Sequence, residues 1–269
     1  MIGNIPDWKK IYKIAKRNNL KIIEDSADTL GAKINGKSSG IYSDISITSF
    51  YGSHIINGAG NGGMLCINNK KIYEKSLLLR SWGRSSSLFI EGSEKIENRF
   101  NVKLDGIDYD KKFIFDELGY NLEPSEISAA FALVQLSKLK ENIKKRIVNF
   151  NYHINFFKKY NDFFILPETI KNVITPWLAF AVIIKDSAPF NRKELQIFLE
   201  KNNIQTRVVF TGNILRQPCM KKTKLNINPN NFPEADLVMR GGILLGCHQG
   251  LNKKDLDYLH SKVTKFIEK

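Results

Sequence analysis

The sequence predicts an α/β fold, with a larger unit over residues 1–150 and a smaller one over residues 151–269. Three observations carry that prediction. Residues 20–24 (LKIIE) form a short apolar strand that follows a helical pattern and ends in the run Glu24-Asp25-Ser26-Ala27-Asp28. Acids at the carboxyl end of a strand after a helix are the layout of a parallel α/β sheet, and ligands bind at those strand ends. Residues 45–67 place two apolar runs, 45–50 and 64–67, around a loop with five glycines (Gly52, Gly58, Gly60, Gly62 and Gly63) and His54. Both runs read as buried strands, and glycine-rich backbone between such strands lets main chain approach a ligand. From about residue 161 the texture changes, and short strands and helices alternate as in a smaller α/β unit.

Composition narrows the function classes. Of the 269 residues, 42% are hydrophobic and 25% charged, which suits a globular chain able to bury a large core. No apolar run approaches the ~20 residues of a membrane span. The opening MIGNIPDWKK lacks a basic-then-apolar export signal, so a cytoplasmic protein is expected, with no membrane partner. Cys66, Cys219 and Cys247 are odd in number and far apart, and form neither a disulfide framework nor a metal knuckle. The net charge of +14 comes from lysines spread along the whole chain, without a basic run interleaved with aromatics. A phosphate-bearing small molecule is therefore expected as ligand, and nucleic acid is not.

Each element follows from local signals. Residues 5–19 place Trp8, Ile11, Ile14 and Ala15 at helical spacing, with Pro6 suited to the first turn and Asp7 to the positive helix end. Residues 31–44 are turn-rich, and residues 70–82 are helical through Ile72, Leu77, Leu78 and Leu79. Residues 83–112 are polar and irregular, long enough for a functional or covering loop. Pro124 and Ser125 start a helix that runs through AAFALVQLSKL, and residues 140–160 form a second one with a basic face. Residues 176–184 and 204–210 are expected strands; 191–201, capped by Asn191, and 253–267 are expected helices. Two residues stay ambiguous on spacing alone. His54 is either a reactive side chain beyond a strand or an incidental loop histidine, and Asp25 is either a ligand contact or a helix cap.

Several segments in order carry a resemblance: EDSADTLGA (24–32), GKSSGIYSDISITSF (36–50), SH (53–54), GYN (119–121) and EISAAFALVQL (126–136). Together the chain resembles the DegT/StrS family of sugar aminotransferases and dehydratases. That resemblance implies the aspartate aminotransferase-like fold (fold type I), with a mixed or parallel sheet in an incomplete large domain and a small C-terminal α/β domain. It also implies pyridoxal 5'-phosphate or pyridoxamine 5'-phosphate as cofactor. Asp25 matches the aspartate on the pyridine nitrogen, where a carboxylate keeps the ring protonated and electron-accepting. Ser49 matches a phosphate-binding hydroxyl. Asn121 matches an asparagine that reaches the phosphate of a partner subunit, which implies a homodimer.

His54 departs from the aminotransferase pattern. Family aminotransferases place there a lysine that holds the cofactor as a Schiff base; imidazole cannot, but it can carry a proton because its ordinary pKa is near ~6.5. A histidine at this position is similar to the nucleotide-sugar 3-dehydratases that act on 4-keto-6-deoxyhexoses in deoxysugar and O-antigen-type polysaccharide synthesis. Asp28, where aminotransferases carry glutamine, points the same way. So do LRSWGRSSS (79–87), RFNVKLDGIDYDKKF (99–113), IQTRVVFTGNILRQP (204–218) and GCHQGL (246–251). The implied reaction removes the sugar's C3 hydroxyl with His54 as proton carrier and L-glutamate as amino donor. Residues 85–100 hold no cysteine, which argues against the iron–sulfur branch of that subgroup. Amino transfer to a keto sugar and a non-catalytic homologue are the alternatives. Family members also carry a long segment ahead of the part this chain matches, so an N-terminally shortened member is expected.

Arg207 is the expected substrate contact in the 204–218 segment, with Arg216 beside it as either a substrate contact or a salt-bridged residue. Tyr109 and Asp110 in the insert are further substrate candidates. His248 is expected to be structural, and His153 and His260 have no assigned role.

Overall fold

The computed structural model describes residues 2–89 and 96–269; residues 90–95 of the expected insert lie outside the described residues. Helix α1 (Trp8–Arg17) is capped by Asp7, whose carboxylate accepts the Lys10 N–H at 3.1 Å. Pro6 precedes that cap instead of entering the first turn. Strand β1 (Ile23–Asp25) begins later than the apolar run suggested. A two-residue hairpin follows, β2 (Lys33–Ile34) and β3 (Lys37–Ser38). Then come β4 (Ile45–Ser49) and β5 (Gly63–Ile67). β1 runs parallel to β4, with Asp25 opposite Ile47, and β5 returns antiparallel, with Gly63 opposite Ser49. The sheet is thus mixed, in the order β1-β4-β5.

The expectation that both central strands are buried needs correction. β4 is half-buried, and in β5 Met64 and Leu65 are 54% and 48% exposed. An apolar run shows that a strand can be covered; which element covers it is a tertiary matter. Among the described residues, α2 (Lys70–Arg80), capped by Asn69, touches β5 without burying it.

The stretch read as irregular contains structure. Helix α3 (Ile96–Phe100) leads into a hairpin of β6 (Val102–Leu104) and β7 (Ile107–Tyr109). Its turn is Asp105-Gly106, both with positive φ (49° and 88°), the backbone that an Asp-Gly hairpin turn requires. Helix α4 (Glu126–Ser137) starts after Ser125 as expected, and no residue of it is buried. Ile127 is 79% and Leu133 67% exposed, so a helix with eight apolar residues out of twelve lies uncovered in this chain. Helix α5 (Leu139–Phe157) runs through residue 150, where the two units were expected to divide.

The chain after α5 is built on an antiparallel sheet. Its elements are β8 (Phe164–Ile165), β9 (Val173–Ile174), β10 (Phe180–Ile184), α6 (Arg192–Lys201), β11 (Arg207–Val208), α7 (Pro233–Gly241), β12 (Gly242–Leu245) and α8 (Lys253–Ile267). The strand order is β11-β12-β10-β8. β10 and β11 are shorter than their apolar runs, and α7 and β12 were not foreseen. β10 alternates Phe180, Val182 and Ile184 inward, against α5 (Phe150, Phe157), α6 (Leu195, Leu199) and α8 (Leu259, Val263). Burial of these side chains supplies the main drive for folding this part of the chain. Capping boxes at Asn191/Glu194 and Asn252/Asp255 set the starts of α6 and α8. β9 lies outside this sheet and pairs with β2, tying the chain after α5 to the part before it.

Candidate active site

Asp25 and Ser49 are the last residues of the parallel neighbours β1 and β4, so both stand at the carboxyl edge of the sheet. Strand alternation turns Asp25 outward, where its Oδ1 accepts the Ala27 N–H at 3.1 Å, and turns Glu24 inward. Glu24 is buried and accepts the Ser26 hydroxyl at 2.6 Å and the Gly40 N–H at 2.8 Å. It fixes the acidic turn, a role that the acidic run by itself did not distinguish from that of Asp25. Ser49 Oγ accepts the Tyr51 N–H at 3.2 Å, and the neighbouring Thr48 hydroxyl is buried without a partner.

The loop carrying His54 is closed at its base. The Phe50 N–H donates to the Gly62 carbonyl at 2.9 Å and the Gly58 N–H to the Phe50 carbonyl at 2.8 Å. A Cβ on Gly58 would overlap the Asn61 carbonyl oxygen. Ile55 and Ile56 are buried and anchor the chain just after His54, and the His54 N–H donates to the Tyr51 carbonyl at 3.0 Å. The imidazole is thereby held. Its Nε2 lies 3.6 Å from Asp28 Oδ1, while Nδ1 is buried with no partner. Asp28 is tethered through Oδ2 by the Ile2 N–H at 2.9 Å. A carboxylate facing Nε2 favours the tautomer with the proton on Nε2, which leaves the Nδ1 lone pair open.

The structure thus brings Asp25, Asp28, Ser49 and His54 to one sheet edge. Arg207 lies on the edge strand β11, exposed, and shares a cavity wall with Ser53. Asn121 is exposed and bridges to Ser81, and Tyr109 pairs with Val102 in the β6–β7 hairpin; neither is joined to His54 by a described contact. Asp110 is not a free substrate contact: Arg99 grips both its oxygens and holds its carboxyl down at about 2. Arg216 takes the salt-bridged alternative, with Nε and Nη2 each 2.5 Å from Asp236. His248, expected to be structural, is exposed on the wall of the cavity near Ser53, and partial desolvation of its ring, with the nearby Arg146 charge, lowers its pKa. His153 and His260 form a buried pair, 2.9 Å between Nδ1 and Nε2, which ties α5 to α8. Among the described residues no group of His, Cys, Asp or Glu could hold a metal ion, and no helix is long and apolar enough to cross a membrane.

Comparison with known proteins places these features. The chain is 32% identical over 271 residues to the lipopolysaccharide biosynthesis protein RfbH of Salmonella typhimurium, covering 99% of this chain and 61% of that protein. It is 30% identical over 277 residues to the dTDP-4-dehydro-2,6-dideoxy-D-glucose 3-dehydratase of Saccharopolyspora spinosa, covering 100% of this chain and 58% of the other. Among solved structures it is similar to the Escherichia coli GDP-4-keto-6-deoxy-D-mannose-3-dehydratase with bound hydrated PLP, with a TM-score of 0.81 at 27% identity. That match covers 97% of this chain and 65% of the other. The chain therefore spans about three fifths of the length of the curated relatives it matches, and its fold is the α/β fold of the PLP-dependent aminotransferases. The model of the DegT/DnrJ/EryC1/StrS aminotransferase family matches residues 1–264, and the chain belongs to that family.

Proposed function

We propose that this chain works as a pyridoxamine 5'-phosphate-dependent nucleotide-sugar 3-dehydratase acting on a nucleoside-diphosphate 4-keto-6-deoxyhexose, with L-glutamate as amino donor. One observation carries the proposal: position 54 at the carboxyl edge of the sheet holds a histidine set against Asp28, with Nδ1 open. The residues fit the cofactor. The buried, unpartnered Thr48 hydroxyl and His54 Nδ1 lie along the edge that carries the outward carboxylate of Asp25 and the hydroxyl of Ser49. Asp25 would hold the pyridine nitrogen and Ser49 the phosphate. In a homodimer Asn121 would reach the phosphate held by the partner subunit. The uncovered apolar surface of α4 supports such an assembly.

When bound, the cofactor supplies an amine for the sugar's C4 ketone and a ring that supplies electrons as the C3 hydroxyl departs. The protein's part is proton handling and orientation. The Asp28 carboxylate, 3.6 Å from Nε2, favours the tautomer with the proton there, and the open Nδ1 would be the atom that holds a proton taken from the bound cofactor. The buried Ile55 and Ile56 keep the ring from swinging out. Amino transfer would instead need a side-chain amine at position 54.

Incubating the purified protein with pyridoxamine phosphate and GDP-4-keto-6-deoxymannose tests the proposal. Dehydration yields ammonia and a sugar lighter by one oxygen atom. A 4-amino sugar without ammonia overturns the proposal in favour of transfer, and neither product overturns it for this chain.

A further inference from the structure

Helix α5 carries a buried cation. Arg146 is 3% exposed and donates to uncharged acceptors: Nε to Gln249 Oε1 at 2.8 Å, and Nη1 to the Trp177 carbonyl at 2.9 Å and the Leu178 carbonyl at 3.2 Å. One turn further along α5, Phe150 stacks on the Trp177 ring, with 4.0 Å between centroids and 3° between planes. One helix thus grips Trp177 twice, by its carbonyl and by its ring. The Trp177 φ of 43° is a conformation that a bulky residue keeps only where its surroundings impose it. A guanidinium is costly to take out of water, and none of these acceptors carries a charge; what Arg146 secures is the turn at 177–178.

That turn is one side of a clamp whose other side is Asp28. The Leu178 N–H donates to the Ile2 carbonyl at 2.9 Å, and the Thr175 hydroxyl donates to the Gly3 carbonyl. The Ile2 N–H in turn donates to Asp28 Oδ2 at 2.9 Å, and Asp28 Oδ1 faces His54 Nε2 at 3.6 Å. Ile2 is buried with φ 56°, left-handed backbone that a β-branched residue rarely adopts. Gly3 has no room for a side chain: a Cβ there would stand 3.0 Å from Trp177 Cα and 3.2 Å from the Asp28 carbonyl oxygen. Residues 2 and 3 are therefore wedged between the Trp177 turn and Asp28, and close packing passes a shift of the first on to the second.

We propose that Arg146 is a positioning residue for His54. Its effect passes through the Trp177–Leu178 backbone and Ile2 to Asp28, and Asp28 sets which imidazole nitrogen carries the proton. With Arg146 in place the Asp28 carboxylate stays in front of Nε2. Without it two carbonyls lose their donor, the turn relaxes and the carboxylate moves off the ring. Misplacing a reacting group by about 1 Å can cost on the order of 10²-fold in rate. The proposal rests on the reading of His54 as proton carrier.

Two measurements test it on the intact protein. Nitrogen NMR of isotope-labelled histidine side chains, without added cofactor and above the ordinary histidine titration range, reads the tautomer of His54, whose signals are those lost in His54→Gln. The parent should show the proton on Nε2. Arg146→Met and Thr175→Val should each show a mixture of tautomers, and Arg146→Lys, which keeps a cationic donor for the carbonyls, should stay close to the parent. In turnover with pyridoxamine phosphate and GDP-4-keto-6-deoxymannose, Arg146→Met should lower kcat about tenfold with KM within about twofold. In the Asp28→Asn background the same substitution should cost less than about twofold more, because a residue acting through Asp28 has nothing left to position. A parent-like His54 spectrum in folded Arg146→Met and Thr175→Val overturns the proposal, and so do losses in kcat that add. If Arg146→Met does not fold, Thr175→Val decides by the same two readings. A parent without turnover overturns the reading beneath, and the tautomer spectra then decide the positioning by themselves.

Discussion

Mild acid should destabilise this fold through His153. The side chain is fully buried; its Nε2–H donates to the Gly246 carbonyl at 3.0 Å, so its Nδ1 accepts from His260 Nε2–H at 2.9 Å. A second proton on this ring would point at the His260 N–H, and burial also opposes the charge. Burial pushes the His153 pKa down to about 4, and burial followed by the His153 charge pushes His260 down as well. In the unfolded chain a histidine titrates near ~6.5. Between those values the unfolded state binds the proton and the folded state does not, so stability is complete above ~6.5 and is lost as pH falls toward 4. The gap is worth about 3 kcal/mol, a large share of a typical folding free energy. Urea unfolding followed by circular dichroism at pH 7.5, 6.5, 5.5 and 4.5 measures it. His153→Gln keeps a donor for the Gly246 carbonyl and removes the titration, so its stability should fall less over that range. Asp236 and Asp110, held near 2 by their arginines, act only at lower pH and do not confuse the comparison. Equal pH slopes in the parent and His153→Gln would refute the reasoning.

Other expected outcomes concern the site and the assembly. His54→Gln should lower turnover by about 10²- to 10⁴-fold, the usual contribution of a general base. His54→Lys should let borohydride fix the cofactor covalently at that position, read by peptide mass, and should suppress dehydration; dehydration at the parent rate would remove His54 from the mechanism. Asp28→Asn should reduce kcat by about 10²-fold with little change in KM, since it acts on the tautomer and not on substrate contact; an unchanged kcat would count against the assignment of Nδ1. Placing charge on α4 with Ile127→Asp and Leu133→Asp should turn a dimer into a monomer by light scattering, and a persistent dimer would put the interface elsewhere.

Local chemistry was enough for much of the chain. The bounds of α8 and α6 follow from apolar spacing after an Asn cap, and the central strands follow from apolar runs around a glycine loop. The Asp105-Gly106 hairpin carries a turn signal too, but its flanking strands are only three residues long and each has a charged residue at its centre, too short for a strand period to stand out. The ordered motifs around Asp25, Ser49 and His54 carried the family and with it the fold.

Other features are set by contacts between segments far apart in sequence, and periodicity is blind to these. That Glu24 turns inward and Asp25 outward depends on which face of β1 the core lies against. The meeting of Asp28 with His54 depends on β1 and β4 being parallel neighbours, and the tie between the early chain and the part after α5 on β9 pairing with β2. The histidine pair across α5 and α8 joins residues 107 positions apart. Sequence determined which residues could do chemistry and which segments could form strands and helices. Tertiary structure alone decided which side chains face one another, because sheet order and helix packing are selected by burial summed over the whole chain.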